Sequence, residues 1–330
     1  MRGKGIIMLR FLTAGESHGR CLIGVIEGLP RGLSVDAGYI NDQLRRRQLG
    51  YGRGGRMRIE QDTVQIMSGV RHGATLGSPI SFTIQNRDWE NWQIPMSIEQ
   101  PADGSDLRTV TLPRPGHADL AGALKYQTYD VRDVLERASA RETAARVAAG
   151  AFCRLFLAHF GLHIGSHSIA IGGECIAGNF ENLACDRIFE IDPESPLHCA
   201  DPEAEKRMIA LIDRTEKAGD TLGGTLEVVA SPVPTGMGSH IQWDRRLDGK
   251  IAQAMMSIPA AKAVEIGGGI ASTLRPGSAV HDEIFFDPQK KRFYRKTNIA
   301  GGVEGGISNG EDIRIKVYIK PIPTLSKPLR

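Results

Sequence analysis

The chain has 330 residues, 41% of them hydrophobic, and carries a net charge of only +3. That is enough apolar material for one large core or two ordinary ones, and too little charge for a general nucleic-acid or membrane-surface protein. No segment reaches the roughly 20 apolar residues of a bilayer span, because the most apolar stretch, Ala144 to Phe160, is interrupted by Arg146, Arg154 and His159.

In chain order, the first feature is Thr13-Ala14-Gly15-Glu16-Ser17-His18-Gly19, a polar loop between the apolar runs Met8 to Leu12 and Cys21 to Ile26. Its glycines permit a sharp turn, and it sets a carboxylate, a hydroxyl and an imidazole side by side. A solvated turn is the bland alternative for the loop taken alone. Leu22 to Glu27 reads as a buried strand, followed by the turn Gly28 to Gly32, and Asp36 to Leu49 as an amphipathic helix with Ile40 and Leu44 on one face. After the Gly50 to Arg56 loop come two short strands, Thr63 to Ser68 and Ile80 to Gln85. Asn86 to Thr111, with Trp89 and Trp92, lacks periodicity and reads as a long loop of the functional kind.

From Val131 to Phe160 apolar and small residues run almost all round, which predicts one buried helix. His163 to Ile171 alternates like a strand, Cys175 to Asp201 is irregular, and Glu203 to Lys217 is a second amphipathic helix. At an offset of 204, Leu22, Val25, Pro30 and Gly32 match Leu226, Val229, Pro234 and Gly236, and a helix over Asp244 to Met256 follows the second copy. The match raises the expectation of an internal pseudo-repeat, with chance similarity as the alternative. The glycine-rich Asn298 to Gly310 segment feeds an alternating strand, Asp312 to Lys320. The N-terminus lacks a secretory signal, and the five cysteines show no C-x-x-C spacing, so the expectation is a cytoplasmic protein with reduced thiols.

Four constellations carry chemistry. One is the opening loop with His18. A second is the run of six arginines from Arg45 to Arg58, in which Arg47 and Arg53 offer guanidinium forks to phosphate or carboxylate. A third is Arg114-Pro115-Gly116-His117-Ala118-Asp119, a second loop histidine beside glycine. The fourth is Glu136-Arg137-Ala138-Ser139-Ala140-Arg141-Glu142-Thr143, an anion site if a helix begins inside it. No metal-ligand spacing, dinucleotide fingerprint or P-loop is present. The residues describe an arginine-rich pocket with two histidines, suited to a phosphorylated carboxylate.

Three blocks together are specific: Gly15-Glu16-Ser17-His18-Gly19 with Glu27-Gly28-Leu29-Pro30; Glu136 to Thr143 running on to Gly150; and Gly301-Gly302-Val303-Glu304-Gly305-Gly306 running on to Lys320-Pro321-Ile322-Pro323-Thr324. Through them, and over nearly its whole length, the chain resembles the chorismate synthase family. The resemblance implies a shikimate-pathway lyase that converts 5-enolpyruvylshikimate 3-phosphate to chorismate and phosphate by 1,4-anti elimination, using reduced FMN without net redox change. The hydrogen lost is not acidic, so a base alone meets a high barrier, and electron donation helps to expel phosphate.

By the same resemblance His18 is the general acid at the leaving phosphate, and His117 keeps the reduced flavin in its useful protonation state. Ser17, Arg47, Arg53 and Arg114 hold substrate. FMN lies against Arg137, Ala138, Ser139, Pro259, Ala260, Gly305, Lys320, Pro321, Ile322, Pro323 and Thr324. The implied fold is α+β, a beta-alpha-beta sandwich with helices between two antiparallel sheets, as a single domain over 1–330 assembled as a homotetramer. Family members continue past the Lys320 to Thr324 segment into an Arg-x-Asp motif and a further helix, so the expectation is a site lacking that arginine and aspartate. NADPH as reductant, or a separate flavin reductase, stays open, as does an NADPH-dependent flavin oxidoreductase activity. An RNA-binding module on the arginine cluster is the non-enzymatic alternative, weakened by 6% aromatic content.

Overall fold

The computed structural model describes residues 8–52, 60–178 and 182–325. Two compact units divide the chain, the first running to His159 and the second starting at Phe160.

In the first unit, strands β1 (Arg10–Ala14), β2 (Cys21–Glu27), β3 (Val64–Ile66) and β6 (Ile80–Gln85) form an antiparallel sheet in the order β1-β2-β6-β3. The period-2 alternation of β2 and β6 puts Leu22 and Ile26 of one, and Ile80, Phe82 and Ile84 of the other, on a single buried face. Gly24 lies opposite Phe82 in the register. A Cβ at Gly24 would stand 2.1 Å from the Phe82 ring, so the glycine is the space the phenyl group fills. Helix α1 (Ala37–Gln48) is capped by the Asp36 side chain, which accepts from the Gly38 N–H, and buries Ile40 and Leu44 against this face. A small hairpin, β4 (Val70–Arg71) and β5 (Ala74–Thr75), lies between β3 and β6 in sequence, where no strand was expected.

The segment expected as one helix from Val131 to Phe160 is broken. Helix α2 (Asp119–Tyr126) precedes it, α3 (Arg132–Ala138) ends at Ser139, a single 3₁₀ turn spans Ala140–Glu142, and α4 (Thr143–Ala158) completes it. Ser139 takes an extended conformation (φ −63, ψ 143) and its hydroxyl accepts from the Arg141 N–H, a cap that starts the next turn. Helix α4 buries Ala144, Ala145, Ala148, Ala149, Ala151 and Phe152 in the sheet core. Its small side chains allow close approach, and Phe152 meets Phe82 at 5.9 Å between ring centroids. Burying each such aromatic is worth about 1.5–3 kcal/mol.

The second unit is built on β7 (His163–Ile171), β8 (Glu174–Cys175), β9 (Gly224–Ser231), β10 (Ala261–Ile266) and β15 (Ile313–Ile319), antiparallel in the order β10-β15-β9-β7-β8. The expected irregular stretch from Cys175 contains a short helix, α5 (Cys185–Phe189). Helix α6 (Pro202–Lys217) is capped by Asp201, whose carboxylate accepts from the Glu203 and Ala204 N–H groups. Helices α7 (Leu247–Met256) and α8 (Gly269–Thr273) flank β10 in sequence. Hairpins β11 (Ile284–Asp287) with β12 (Arg292–Arg295), and β13 (Val303–Glu304) with β14 (Ile307–Ser308), complete the unit. The segments paired at an offset of 204 fall on β2 and β9 and the turns after them, and each is followed by a helix, α1 and α7. Their sheets differ in strand number and order.

Candidate active site

The opening loop links β1 to β2 and is shaped by Gly15, whose φ is +99. A side chain there would suffer twice, since its Cβ would come within 2.3 Å of the Cys21 carbonyl oxygen. The loop is then fixed from outside. Ser17 N–H donates to the Glu136 carbonyl (3.0 Å), and Asn86 Nδ2 donates to the carbonyls of Gly19 (2.6 Å) and Glu16 (3.2 Å). Arg137 Nη2 donates to the Thr13 carbonyl (2.9 Å) and hydroxyl (2.8 Å), and Nη1 to the Gly15 carbonyl (3.2 Å). Ser17 is buried.

His18 is held on its edge and its face. Its Nδ1 lies 2.9 Å from both carboxylate oxygens of Glu136, and its own N–H donates to Glu136 Oε2 at 2.8 Å. Arg132, one helical turn earlier on α3, donates from Nη1 to Glu136 Oε1 at 2.9 Å. Burial works against ionisation of Glu136, but the hydrogen bonds from His18 and Arg132 more than offset it, so the carboxyl titrates below its ordinary range. Trp92 stacks on the imidazole, with centroids 3.9 Å apart and planes at 26°. The guanidinium carbons of Arg108 and Arg132 lie 4.5 Å and 4.9 Å from the Trp92 ring centre.

The second histidine repeats the arrangement at the start of α2. His117 Nδ1 makes a very short contact with Asp119 Oδ1. Arg114 donates to Asp119 Oδ2 from both its backbone N–H (3.0 Å) and Nε (2.9 Å). Burial again opposes the charge on Asp119, and the bonds from Arg114 and His117 outweigh it, holding the carboxyl below its ordinary range. The sequence pointed to both histidines and to Arg114; Asp119 stood in the same motif as a carboxylate in reach.

Arg47 is turned inward. Its Nε donates to the Thr143 hydroxyl (3.0 Å), Nη2 to the Ala140 carbonyl (3.1 Å), and Nη1 lies 3.5 Å from Asp62. It therefore braces the start of α4, and the arginine cluster is not one solvated strip. Arg53, the other predicted fork, lies outside the described residues, as do Arg56 and Arg58. Beside Arg47, Arg141 is buried among Asp62, Glu60 and Asn86. Glu60, Asp62, Asn86, Trp92, Arg108 and Arg132 were not singled out from the sequence. Only the Arg132/Glu136 spacing of four residues on a helix was a usable signal.

In the second unit, the end of β15 runs beside the start of β10, with Ile319 paired to Ala261, and Lys320 N–H donates to the Ala260 carbonyl at 3.0 Å. Two of the predicted cofactor pieces, Pro259-Ala260 and Lys320 to Thr324, thereby form one edge. Ala260 holds a left-handed backbone (φ +70), a conformation that costs a non-glycine residue free energy. Gly305 sits in the turn between β13 and β14 at φ +58, with open space where a side chain would begin, and its carbonyl accepts from Arg246 Nη1 at 3.3 Å. A guanidinium beside the Gly305 peptide suits an anionic group such as the phosphate of a nucleotide cofactor. Among the described residues no cluster of histidine, cysteine or carboxylate side chains is placed to hold a metal ion, and no helix is long and apolar enough to cross a membrane.

Residues 9–330 match the family model described as chorismate synthase. A chorismate synthase from Geobacter metallireducens is 55% identical over 328 residues, covering 98% of this chain and 83% of the relative. That from Alkaliphilus metalliredigens is 54% identical over 323 residues, with 98% and 83% covered. Among solved structures, one titled "Crystal Structure of Chorismate Synthase" superposes with a TM-score of 0.81 at 44% identity, covering 96% of this chain and 86% of that one.

Proposed function

Because the chain belongs to the chorismate synthase family, and is a carbon–oxygen lyase that makes chorismate from 5-enolpyruvylshikimate 3-phosphate, we propose that His18 and His117 manage the protons of the elimination. The family works with reduced FMN, and we assign that group to this chain, with Arg137, Ala138 and Ser139, Pro259 and Ala260, Gly305, and Lys320 to Thr324 holding it. When bound, it supplies electron density that helps the carbon–oxygen bond to phosphate break and accounts for the unactivated hydrogen that is lost.

The rest falls to side chains of the protein. Phosphate leaves as a better group when an oxygen is protonated, and His18 donates that proton as general acid. Ser17 and the arginines Arg47, Arg53 and Arg114 neutralise and orient the phosphate and carboxylates of the substrate. His117, tied to Asp119, keeps the cofactor in the protonation state that donates electrons. The observation that carries this reading is the Glu136 clamp on His18, 2.9 Å from Nδ1 to each carboxylate oxygen. A histidine that merely filled a surface turn would have no buried carboxylate and aromatic ring fixing its orientation.

The same proposal includes a cytoplasmic homotetramer, the family's sandwich with its internal pseudo-repeat, and reduction of the flavin either by NADPH on this chain or by a separate reductase. Phosphate release from 5-enolpyruvylshikimate 3-phosphate with photoreduced FMN tests the chemistry, comparing wild type with His18→Ala and His117→Ala. Rates unchanged in both variants would remove the proton roles. Anaerobic bleaching of FMN by NADPH without added reductase decides who reduces the flavin.

A further inference from the structure

We propose that Glu136 and Asp119 are positioning residues that fix both histidines in the same tautomer, with hydrogen on Nδ1, so that His18 and His117 each exchange protons through Nε2. This rests on the reading of the two histidines as proton carriers, and goes beyond it by naming the atom that carries the proton and the groups that choose it.

The two arrangements come from separate parts of the chain and share a buried carboxylate, an arginine and a backbone donor. In each, a carboxylate with its side chain at most 1% exposed faces Nδ1 of a histidine that is 20% or 14% exposed. In each, an arginine holds the carboxylate: Arg132 Nη1 at 2.9 Å from Glu136 and Arg114 Nε at 2.9 Å from Asp119. A backbone N–H donates as well, from His18 to Glu136 at 2.8 Å and from Arg114 to Asp119 at 3.0 Å. An ionised carboxylate only accepts hydrogen bonds, so the ring nitrogen against it must bring the hydrogen. The neutral ring is then protonated on Nδ1, and Nε2, on the far edge, is the basic atom.

One contact competes. Arg114 Nη2 lies 3.2 Å from His117 Nδ1, which would ask that nitrogen to accept. The same guanidinium already reaches both Asp119 oxygens, at 2.9 Å from Nε and 3.3 Å from Nη2, and Asp119 Oδ1, in contact with the same ring nitrogen, can only accept. The hydrogen therefore lies between His117 and Asp119. For His18 the Trp92 stack adds a second restraint, blocking rotation of the ring out of the plane the carboxylate sets.

The test uses the full chain labelled with [15N]histidine. Long-range 1H–15N correlation spectra at a pH where the rings are neutral report which nitrogen carries hydrogen, with the two signals assigned through His18→Gln and His117→Gln. The expected wild-type result is Nδ1–H on both rings. In Glu136→Gln and Asp119→Asn the amide oxygen is claimed by the arginine and backbone donors, the NH₂ is presented to Nδ1, and the tautomer reverses. kcat should then fall by about a hundredfold or more with KM within about twofold, as expected when a tautomer-setting carboxylate is lost. Nε2–H on either ring of an active wild type overturns the proposal, as does a variant that keeps both its tautomer and its kcat. If a variant fails to fold, the wild-type spectrum decides alone. Correct tautomers in a wild type that releases no phosphate would sink the elimination chemistry and leave the tautomer assignment standing.

Discussion

Arg141 and Asp62 form a buried ion pair in which one guanidinium nitrogen, Nη1, serves both carboxylate oxygens, hydrogen-bonding Oδ2 at 2.8 Å and lying 2.6 Å from Oδ1. Oδ1 has no hydrogen bond of its own. The same arginine donates from Nε to Asn86 Oδ1 at 2.9 Å, and Asn86 in turn holds the carbonyls of Gly19 and Glu16. A chain of contacts thus leads from a buried charge pair to the loop that presents His18.

Asp62→Ala is expected to destabilise the protein by about 3–5 kcal/mol, the usual cost of leaving a buried cation without its partner. Equilibrium unfolding in urea measures it. Glu60 remains 3.5 Å from Arg141 Nη2 and offers partial compensation, so the lower end of that range is expected. A change below about 0.5 kcal/mol, typical of surface sites, would show that the pair is not the brace described.

Much of the fold was legible in the sequence because it is written in local patterns. β7 spans His163–Ile171, as its alternation predicted, and the two amphipathic helices expected over Asp36 to Leu49 and Glu203 to Lys217 are α1 and α6. The break at Ser139 was legible only as a condition, a helix that begins inside Glu136 to Thr143, because no glycine or proline interrupts the alanine-rich run and one serine cap does the work of a breaker. In the site, histidines and arginines announced themselves by motif. Their partners did not: Trp92 and Arg108 lie in a stretch without periodicity, and only the folded chain brings Trp92 onto His18 and Arg108 over the Trp92 ring. Glu60 and Asp62 pair with Arg141 across 81 and 79 positions of sequence, a distance at which no local pattern operates.

Gly15→Ala should be the most damaging single methyl in the site. The backbone must keep φ +99 while the added carbon meets the Cys21 carbonyl at 2.3 Å. Strain of this kind costs on the order of 1–3 kcal/mol before the clash is counted, and the loop has no slack, since Arg137 and Asn86 hold it on both sides. A clear drop in the urea midpoint together with a loss of phosphate release is expected. Gly32→Ala is the control, because nothing lies within 4 Å of its missing side chain although φ is +88. Equal effects of the two substitutions would remove the argument from crowding.

Trp92 can be separated from the carboxylate clamp. Trp92→Leu removes the 3.9 Å stack on His18 and the ring beneath Arg108 and Arg132. Such contacts are worth about 0.5–1.5 kcal/mol each, so kcat should fall about tenfold, while Trp92→Phe, which keeps a ring, should lose less. Indistinguishable rates in leucine and phenylalanine variants would show that the stack does not orient the imidazole.

Acid should attack this site through its carboxylates. Glu136 and Asp119 are both held below their ordinary values of 4.5 and 3.8, burial being outweighed by the donors around each. A group whose folded pKa is depressed adds stability that is fully present above its unfolded pKa and is lost as pH falls through that value towards the folded one. Stability should therefore hold steady down to about pH 5 and decline below it as the unfolded chain takes up protons that the native site refuses. Glu136→Gln removes one such proton, so its unfolding free energy, although lower at neutral pH, should fall less steeply between about pH 4.5 and 3 than that of wild type. Urea midpoints across that range decide the matter. Parallel curves would mean that Glu136 takes up its proton equally in the folded and unfolded chain, and that His18 and Arg132 do not hold its charge.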